Sequence, residues 1–470
     1  MLRIFRANAL RVAVSASVLG LLGQAAHAET LQQVFDLARQ NDALLKSQAA
    51  QAAAGRETGN IYKAQLLPQA SLQGTLARSD TDIHGSIACS PAIPNGCNNT
   101  EAGVKKGSLN VAQSLLNLEA WYDYKRGKKI AEQSDAIYRA NEQDLIVRVT
   151  QAYVNVLRSV DTYKTARAQE DAIARQLEQA KQRFDVGLIA ITDVQESQAT
   201  FDSAHVQTLS AQGNIGIAFE ALEALTGQPI KAVAPFADEM PVRQPEPQQQ
   251  AEWEKLALEN NPQLAASEFA VEAARDNAKA RRAAHLPTLV GSYQYSDNNT
   301  SVDYTDNSTV PMMHDIERGN TVALSLNIPL YSGGMTSARQ RQAYDQQMAA
   351  EESHTDNRRN LVQNARSLHL AVRTDVERVS AQKQAIVSAK SALDATQAGY
   401  EVGTRNIVDV LDAQQRLFQA RLAHANARYQ FILDTMRLMQ TAGTLGPDSI
   451  QKLNSFAQAD KNFTRASVSE

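Results

Sequence analysis

The feature that most constrains the fold is an internal duplication that spans nearly the whole chain. Residues 37–42 read LARQND and recur as LALENN at residues 256–261, an offset of 219 positions. Residues 184–198, FDVGLIAITDVQESQ, recur as YEVGTRNIVDVLDAQ at residues 400–414, an offset of 216 positions. A period this long exceeds that of small-unit solenoids. The sequence therefore predicts two copies of one domain.

Each half passes through the same series of periodicities. An Ala-rich helical stretch, residues 30–65 and again 251–285, ends at a Leu-Pro pair, where proline stops the helix. Alternation of apolar and polar residues follows, which is typical of strands with one apolar face. We therefore predict one β-hairpin in each half, over about 68–118 and 287–331.

Two long tracts, residues 119–226 and 335–443, are rich in Ala, Gln, Arg and Asp and poor in aromatic residues. This composition predicts solvated, coiled helices. Gly187 and Gly403 interrupt the tracts at equivalent positions, and glycine readily adopts the left-handed conformation that ends a helix. Each tract is therefore predicted to form a helical hairpin.

Thr192 followed by Gln195 resembles a capping box just after the first interruption. This spacing predicts that Thr192 caps the second helix of the first hairpin.

The expected layout has a leader, two repeats, a connector and a tail. The leader has three arginines, an apolar run and Ala26-His27-Ala28, which is typical of a removed secretory signal. The ranges are 1–28 for the signal, 29–227 for the first repeat, 228–250 for an irregular Pro- and Gln-rich linker, 251–445 for the second repeat and 446–470 for a polar, irregular tail.

The charge and motif content exclude several classes of function. The formal net charge is −4, and loss of the three leader arginines gives −4 − 3 = −7, which argues against nucleic-acid binding. Phosphate-loop, HExxH and GxSxG motifs are absent from the sequence, so neither enzymatic activity nor a cofactor or metal is expected.

The only two cysteines, Cys89 and Cys97, lie in a polar CSPAIPNGC segment. In an exported protein this favours a disulfide that closes a surface loop. Zinc is the alternative, but two thiols without nearby histidines supply half of a structural site.

Four strands cannot close a transmembrane barrel, because the smallest barrels need about eight strands to pair every edge. If these strands enter a membrane, oligomerisation must supply the remaining strands. The alternative is a soluble sheet packed on helices.

Residues 182–195, 398–413 and 329–334 resemble the TolC family of outer-membrane efflux proteins, and the resemblance covers nearly the whole mature chain. It implies an all-α fold with a membrane β-barrel part, in which three chains each contribute four strands to a shared 12-stranded barrel. A long periplasmic α-helical coiled-coil tunnel continues the barrel.

The resemblance also implies a passive exit duct for efflux and type I secretion in the cell outer membrane. The implied partners are two further copies of the chain, outer-membrane lipid, a periplasmic adaptor and an inner-membrane transporter of the RND, ABC or MFS type. The cargo stays open between drugs, metal ions and a secreted protein. The competing hypothesis is a periplasmic coiled-coil adaptor or scaffold.

Family resemblance implies that Asp409 and Asp412 line the periplasmic aperture. They lie three residues apart and share a helix face, so a threefold axis would make two carboxylate rings that favour cations. The alternative is that two acids near a helix start complement its dipole.

The resemblance further implies a gating latch of four residues, Thr192, Asp193, Tyr400 and Arg405. Tyr400 and Arg405 would bond to Thr192 and Asp193 within a chain and between neighbouring chains. Glu196, the repeat equivalent of Asp412, adds an acid near this latch. The alternative for each residue is an ordinary solvated side chain.

Overall fold

The computed structural model describes most of the chain, namely residues 28–82, 99–237, 240–304, 312–458, 461 and 463–465. The first 27 residues of the expected signal lie outside this part. Cys89 and Cys97, with their expected disulfide, also lie outside the described residues.

The two halves contain the same elements in the same order. The first half comprises helices α1 (Leu31–Asn41) and α2 (Ala43–Ala64), strands β1 (Gln69–Asp82) and β2 (Asn99–Leu116), and helices α3 (Leu118–Asp185) and α4 (Ile191–Thr226). After a short strand β3 (Ala232–Val233), the second half comprises α5 (Gln250–Asn260), α6 (Pro262–Ala283), β4 (Thr288–Tyr304), β5 (Met313–Asn327), α7 (Met335–Glu401) and α8 (Ile407–Thr441). Helix α9 (Pro447–Asn454) and strand β6 (Phe463–Thr464) follow.

The helical hairpins predicted for each half are confirmed as α3 with α4 and α7 with α8. Helix α3 has 68 residues and α7 has 67, so each is about 100 Å long at a rise of about 1.5 Å per residue. Both end before a glycine with positive φ, Gly187 at 77° and Gly403 at 78°. Glycine is required there because a Cβ disfavours this conformation.

The two β-hairpins join into one antiparallel sheet with strand order β1-β2-β4-β5. In the part of the sheet nearest the helices, the register places mainly apolar residues of the four strands on one face and mainly polar residues on the other. One apolar row contains Ala70, Val111, Tyr293 and Val322, and the neighbouring polar row contains Ser71, Asn110, Gln294 and Thr321. The alternation predicted from the sequence is therefore confirmed.

The main hydrophobic core lies about midway along α3, where α1, α4, α8 and α9 meet it. Tyr153 of α3 is completely buried there, and its hydroxyl donates to the carbonyl oxygen of Ala234 at 2.5 Å. This hydrogen bond satisfies the one polar atom of a large buried side chain.

The connector and the tail are more ordered than the sequence suggested. In the expected linker, Ala232 and Val233 are buried and form β3, which pairs with β6 of the tail. The tail also forms α9, whose Ile450 is completely buried in the main core. These segments pack because their few apolar residues cover the core.

Charged contacts join the halves near the sheet. Arg281 in the last turn of α6 forms an ion pair with Asp123 of α3 at 2.9 Å and a second with Glu119. Lys129 of α3 pairs with Glu272 of α6 at 2.9 Å. The contacts fix α6 against α3 and therefore fix the order of the four strands that these helices carry.

In the part of the chain that the structure describes, no helix combines the length and the apolar composition needed to cross a membrane.

Candidate functional site

The sequence-predicted site residues lie at the two hairpin tips, the turns that join α3 to α4 and α7 to α8. A small apolar cluster joins the hairpins just inside the tips. It contains Ile173 of α3, Ala204 of α4, and Ile407 and Leu411 of α8, with Tyr400 packed against them. The cluster brings elements of both halves together, so the two tips form one site.

The backbone turns at the two tips have the same construction. At the first tip the Leu188 amide donates to the Arg183 carbonyl at 2.8 Å, and the Gly187 amide donates to the Phe184 carbonyl at 2.8 Å. At the second tip the Thr404 amide donates to the Gly399 carbonyl at 2.8 Å, and the Gly403 amide donates to the Tyr400 carbonyl at 3.1 Å. This pair of bonds is the Schellman motif that satisfies the last carbonyls of a helix.

The helices that leave the two turns start differently. Asn406 caps α8: its side chain accepts from the Asp409 amide at 2.8 Å, and the Asp409 carboxylate accepts from the Asn406 amide at 3.4 Å. The equivalent residue before α4 is Ala190, whose side chain makes no cap hydrogen bond. The predicted capping role of Thr192 is wrong, because α4 begins at Ile191 and Thr192 already lies within its first turn.

Asp409 and Asp412 occupy adjacent positions on one face of α8. Asp409 is half-buried, serves in the capping box and lies 3.8 Å from the Arg405 guanidinium. Asp412, one turn further along, is exposed. Within one chain Asp409 therefore has a local structural role, whereas the Asp412 carboxylate is available to solvent.

The four expected latch residues all lie at the tips, but they are not bonded to each other in one chain. Across the described residues, neither Tyr400 nor Arg405 has a hydrogen bond or ion pair to Thr192 or Asp193. Thr192 is exposed and Asp193 is half-buried. The Tyr400 hydroxyl is enclosed and has no hydrogen-bond partner in the described structure, which is costly for a buried polar group.

One contact at the tips was not predicted from the sequence. The Arg183 guanidinium, in the last turn of α3, lies 4.7 Å from the centre of the Tyr400 ring, within the range of a cation–π interaction. A basic residue at the end of a helix normally complements its dipole. The sequence therefore gave no sign that Arg183 reaches across to the second half.

The first tip exposes a cluster of apolar side chains. Val186 is 70% exposed, Leu188 is 73% exposed and Ile191 is 49% exposed. The equivalent turn of the second half also exposes a valine, Val402, but carries the polar residues Thr404 and Arg405 in place of Leu188 and Ile189. Exposed apolar clusters at a defined structural position are typical of protein contact sites.

Comparison with known proteins gives a family and several relatives. The family model described as "Outer membrane efflux protein" matches residues 34–228 and 253–444. The chain is 35% identical to outer membrane protein TolC of Vibrio cholerae over 93% of this chain and 96% of that protein. It is 34% identical to outer membrane protein TolC of Escherichia coli, over 91% of this chain and 85% of that protein.

More distant relatives also match most of the chain. Alkaline protease secretion protein AprF of Pseudomonas aeruginosa is 29% identical over 90% of this chain and 86% of that protein. The solved structure of outer membrane protein VceC of Vibrio cholerae superposes with a TM-score of 0.71. The superposition covers 88% of this chain and 96% of the VceC chain. At 17% sequence identity, this likeness establishes the fold.

Proposed function

The chain belongs to the outer membrane efflux protein family, close to TolC, and on that premise we propose that three copies form a gated exit duct for efflux and type I secretion. The protein lies in the outer membrane, with its helical part in the periplasm. The observation that carries the proposal is that a four-stranded sheet with an apolar face sits at one end of two hairpins about 100 Å long.

The open edges of the sheet support the trimer. In the described structure β1 and β5 each pair with a strand on one side only. On the apolar face, Leu72 of β1 is 83% exposed and Val322 of β5 is 82% exposed. Three such sheets joined edge to edge give twelve strands, which pair every edge and turn the apolar faces toward lipid.

The extent of the family match favours the duct over the adaptor or scaffold hypothesis. The match spans both halves, including both β-hairpins. A periplasmic scaffold has no need of a sheet with an exposed apolar face. Relatives named for efflux and for protease secretion leave the cargo of this chain open.

We propose that Asp409 and Asp412 form two carboxylate rings around the aperture of the trimer. Their positions one turn apart on α8 and the exposure of Asp412 support this arrangement. Three copies would bring six carboxylates close to one axis, which attracts cations and repels anions.

Latching by Thr192, Asp193, Tyr400 and Arg405 is part of the same proposal. The Tyr400 hydroxyl, enclosed and unpartnered in one chain, and the exposed Arg405 guanidinium are the donors available for it. Acceptors would come from Thr192 and Asp193 when the tips close. Each bond would contribute about 1 to 3 kcal/mol when charged and partly sheltered.

The apolar first tip is the surface that we assign to the periplasmic adaptor. Val186, Leu188 and Ile191 protrude at the end of the helical part, as far as possible from the sheet. A partner that covers these side chains gains hydrophobic energy and can pull one hairpin away from the other. The inner-membrane transporter, of RND, ABC or MFS type, would then supply energy through the adaptor.

Conductance of the purified full-length protein in a planar bilayer tests the aperture. The variant is Asp409→Asn with Asp412→Asn, because asparagine keeps an acceptor oxygen for the helix start and removes both charges. We expect the wild type to form small, cation-selective pores that multivalent cations block from the helical side. The double variant should lose the block and most of the cation selectivity.

A matched control is Asp356→Asn with Asp448→Asn, which removes two exposed carboxylates far from the tips. It should behave like the wild type. If the aperture variant and this control conduct alike, the carboxylate rings are refuted, whereas failure of folded wild-type protein to form pores refutes the duct itself.

A further inference from the structure

Two buried carboxyl groups meet in the middle of the second hairpin, far from its tip. Asp375 of α7 is 2% exposed and Asp434 of α8 is 8% exposed. Asp375 lies 25 residues before Tyr400, or about 37 Å along the helix. Both residues are buried within one chain, so assembly of further copies cannot expose them, and neither belongs to the proposed aperture or latch.

Few hydrogen-bond donors reach the two carboxyl groups. The Asp375 carboxylate accepts from Arg378 at 3.0 Å. Asp434 accepts from Gln430 at 3.0 Å and from Arg437 at 3.3 Å. Asp375 Oδ2 is enclosed, and none of the donors in the described structure reaches it.

Asp375 lies 29 residues before Thr404 in the hairpin turn and Asp434 lies 30 residues after it, so the antiparallel packing of α7 and α8 brings the two residues level. The Asp434 carboxyl then interacts with that of Asp375. Two carboxylates have no donor between them, so this contact is favourable only if one of them carries a proton. We propose that Asp375 and Asp434 form a buried proton-binding site that fastens α7 to α8 when it holds one proton. This inference does not depend on the proposed gating.

The charged groups nearest the pair are two arginines on α7 and α8 themselves. Arg378 forms an ion pair with Asp375 at 3.0 Å and Arg437 one with Asp434 at 3.3 Å. Both guanidinium groups are about half exposed, so water screens part of this attraction. From α3 the neutral Gln151 contacts Arg437 at 2.9 Å. Glu254 of α5 pairs with Arg366 of α7 at 2.8 Å, and buried His369 contacts the Gln248 carbonyl. Glu254 and His369 are therefore engaged with partners other than the two aspartates.

Burial, and next to it the negative charge of Asp434, raises the pKa of Asp375 from 3.8 to about 6. A pKa that is higher in the folded state means that folding favours the proton. The resulting stabilisation is complete below about pH 4 and is lost as pH rises through about 6.

Infrared spectroscopy of the full-length protein in detergent tests the site directly. We expect a protonated carboxyl band that disappears as pH rises through about 6 in the wild type and in the exposed control Asp356→Asn. The band should be absent in Asp375→Asn and in Asp434→Asn. A wild type without this band at pH 5, or a band that persists in both variants, overturns the proposal.

Thermal unfolding over pH 5 to 8 gives a second readout. The wild-type midpoint should fall as pH rises, because both carboxylates then carry charge. Asp375→Asn supplies an amide donor to Asp434 at every pH, so its midpoint should change less and exceed that of the wild type at pH 8. Equal pH dependence in the wild type and this variant contradicts a proton-dependent clasp.

Discussion

The two hairpin tips share a backbone but differ in the chemistry of their side chains. Both turns contain a glycine with φ near 78° and the same pair of terminal hydrogen bonds. Both tips expose a valine, Val186 and Val402, but the first also exposes Leu188 and Ile191 and is uncapped at Ala190, whereas the second has the Asn406–Asp409 capping box. In the second tip Thr404 replaces the leucine and Ile407 is buried. Duplication thus preserved the turn while the two tips diverged toward different contacts.

Phe184 and Tyr400 show this divergence at one pair of equivalent positions. Phe184 is 39% exposed. Tyr400 packs against the apolar cluster of α8 and lies beneath the Arg183 guanidinium. The same aromatic position therefore supports the junction between the halves in the second repeat and faces solvent in the first.

The largest difference between the tips should come from removing these aromatic rings. Tyr400→Ala should lower the free energy of local opening at the start of α8 by about 2 kcal/mol, because a half-buried ring loses its contacts. Phe184→Ala should lower the free energy of local opening at the start of α4 by less than about 1 kcal/mol. Hydrogen exchange of the tip amides in the full-length protein measures both values.

Tyr400→Phe sharpens this prediction. It keeps the ring beneath Arg183 and removes a hydroxyl that has no partner in one chain. Local stability in a single tip should therefore stay within about 0.5 kcal/mol of the wild type, while latching in the trimer should weaken. Equal losses for Tyr400→Ala and Phe184→Ala would contradict the asymmetry.

An intermediate effect is expected when a charge is placed on each tip in turn. Leu188→Asp should weaken adaptor engagement by about tenfold, or about 1.4 kcal/mol, because it removes the most exposed apolar side chain of the first tip and adds a charge. The equivalent change in the second half, Thr404→Asp, is the matched control. Efflux of a fluorescent substrate from cells, at equal amounts of assembled protein, measures the difference.

If Leu188→Asp and Thr404→Asp impair efflux equally, the assignment of the apolar first tip to the adaptor fails. A loss confined to Leu188→Asp supports it.

The smallest effect should come from exchanging the caps. Asn406→Ala should destabilise the start of α8 by about 1 kcal/mol, and Ala190→Asn should stabilise the start of α4 by up to a similar amount. The backbone at Ala190, with φ −79° and ψ 155°, already suits a capping residue. Amide exchange in the first turn of each helix reports both changes, and no gain for Ala190→Asn would show that another feature limits the first tip.

Much of the fold was predictable because it depends on local pattern. The Leu-Pro stops, the alternating strands and the two glycine turns each follow from a few neighbouring residues. The capping prediction at Thr192 was wrong because the spacing of residues resembles a capping box two positions after the true cap. Arg183 was missed because its partner, Tyr400, lies 217 positions away.

The sequence by itself determined the duplication, the hairpins and the apolar face of the sheet, because each arises from periodicity within one segment. Only the tertiary structure decided which side chains meet between segments. It places Arg183 on Tyr400, brings Asp375 to Asp434 and orders the connector against the tail. Such pairings depend on how long helices pack side by side, and a one-residue change in their alignment would turn each partner to another face.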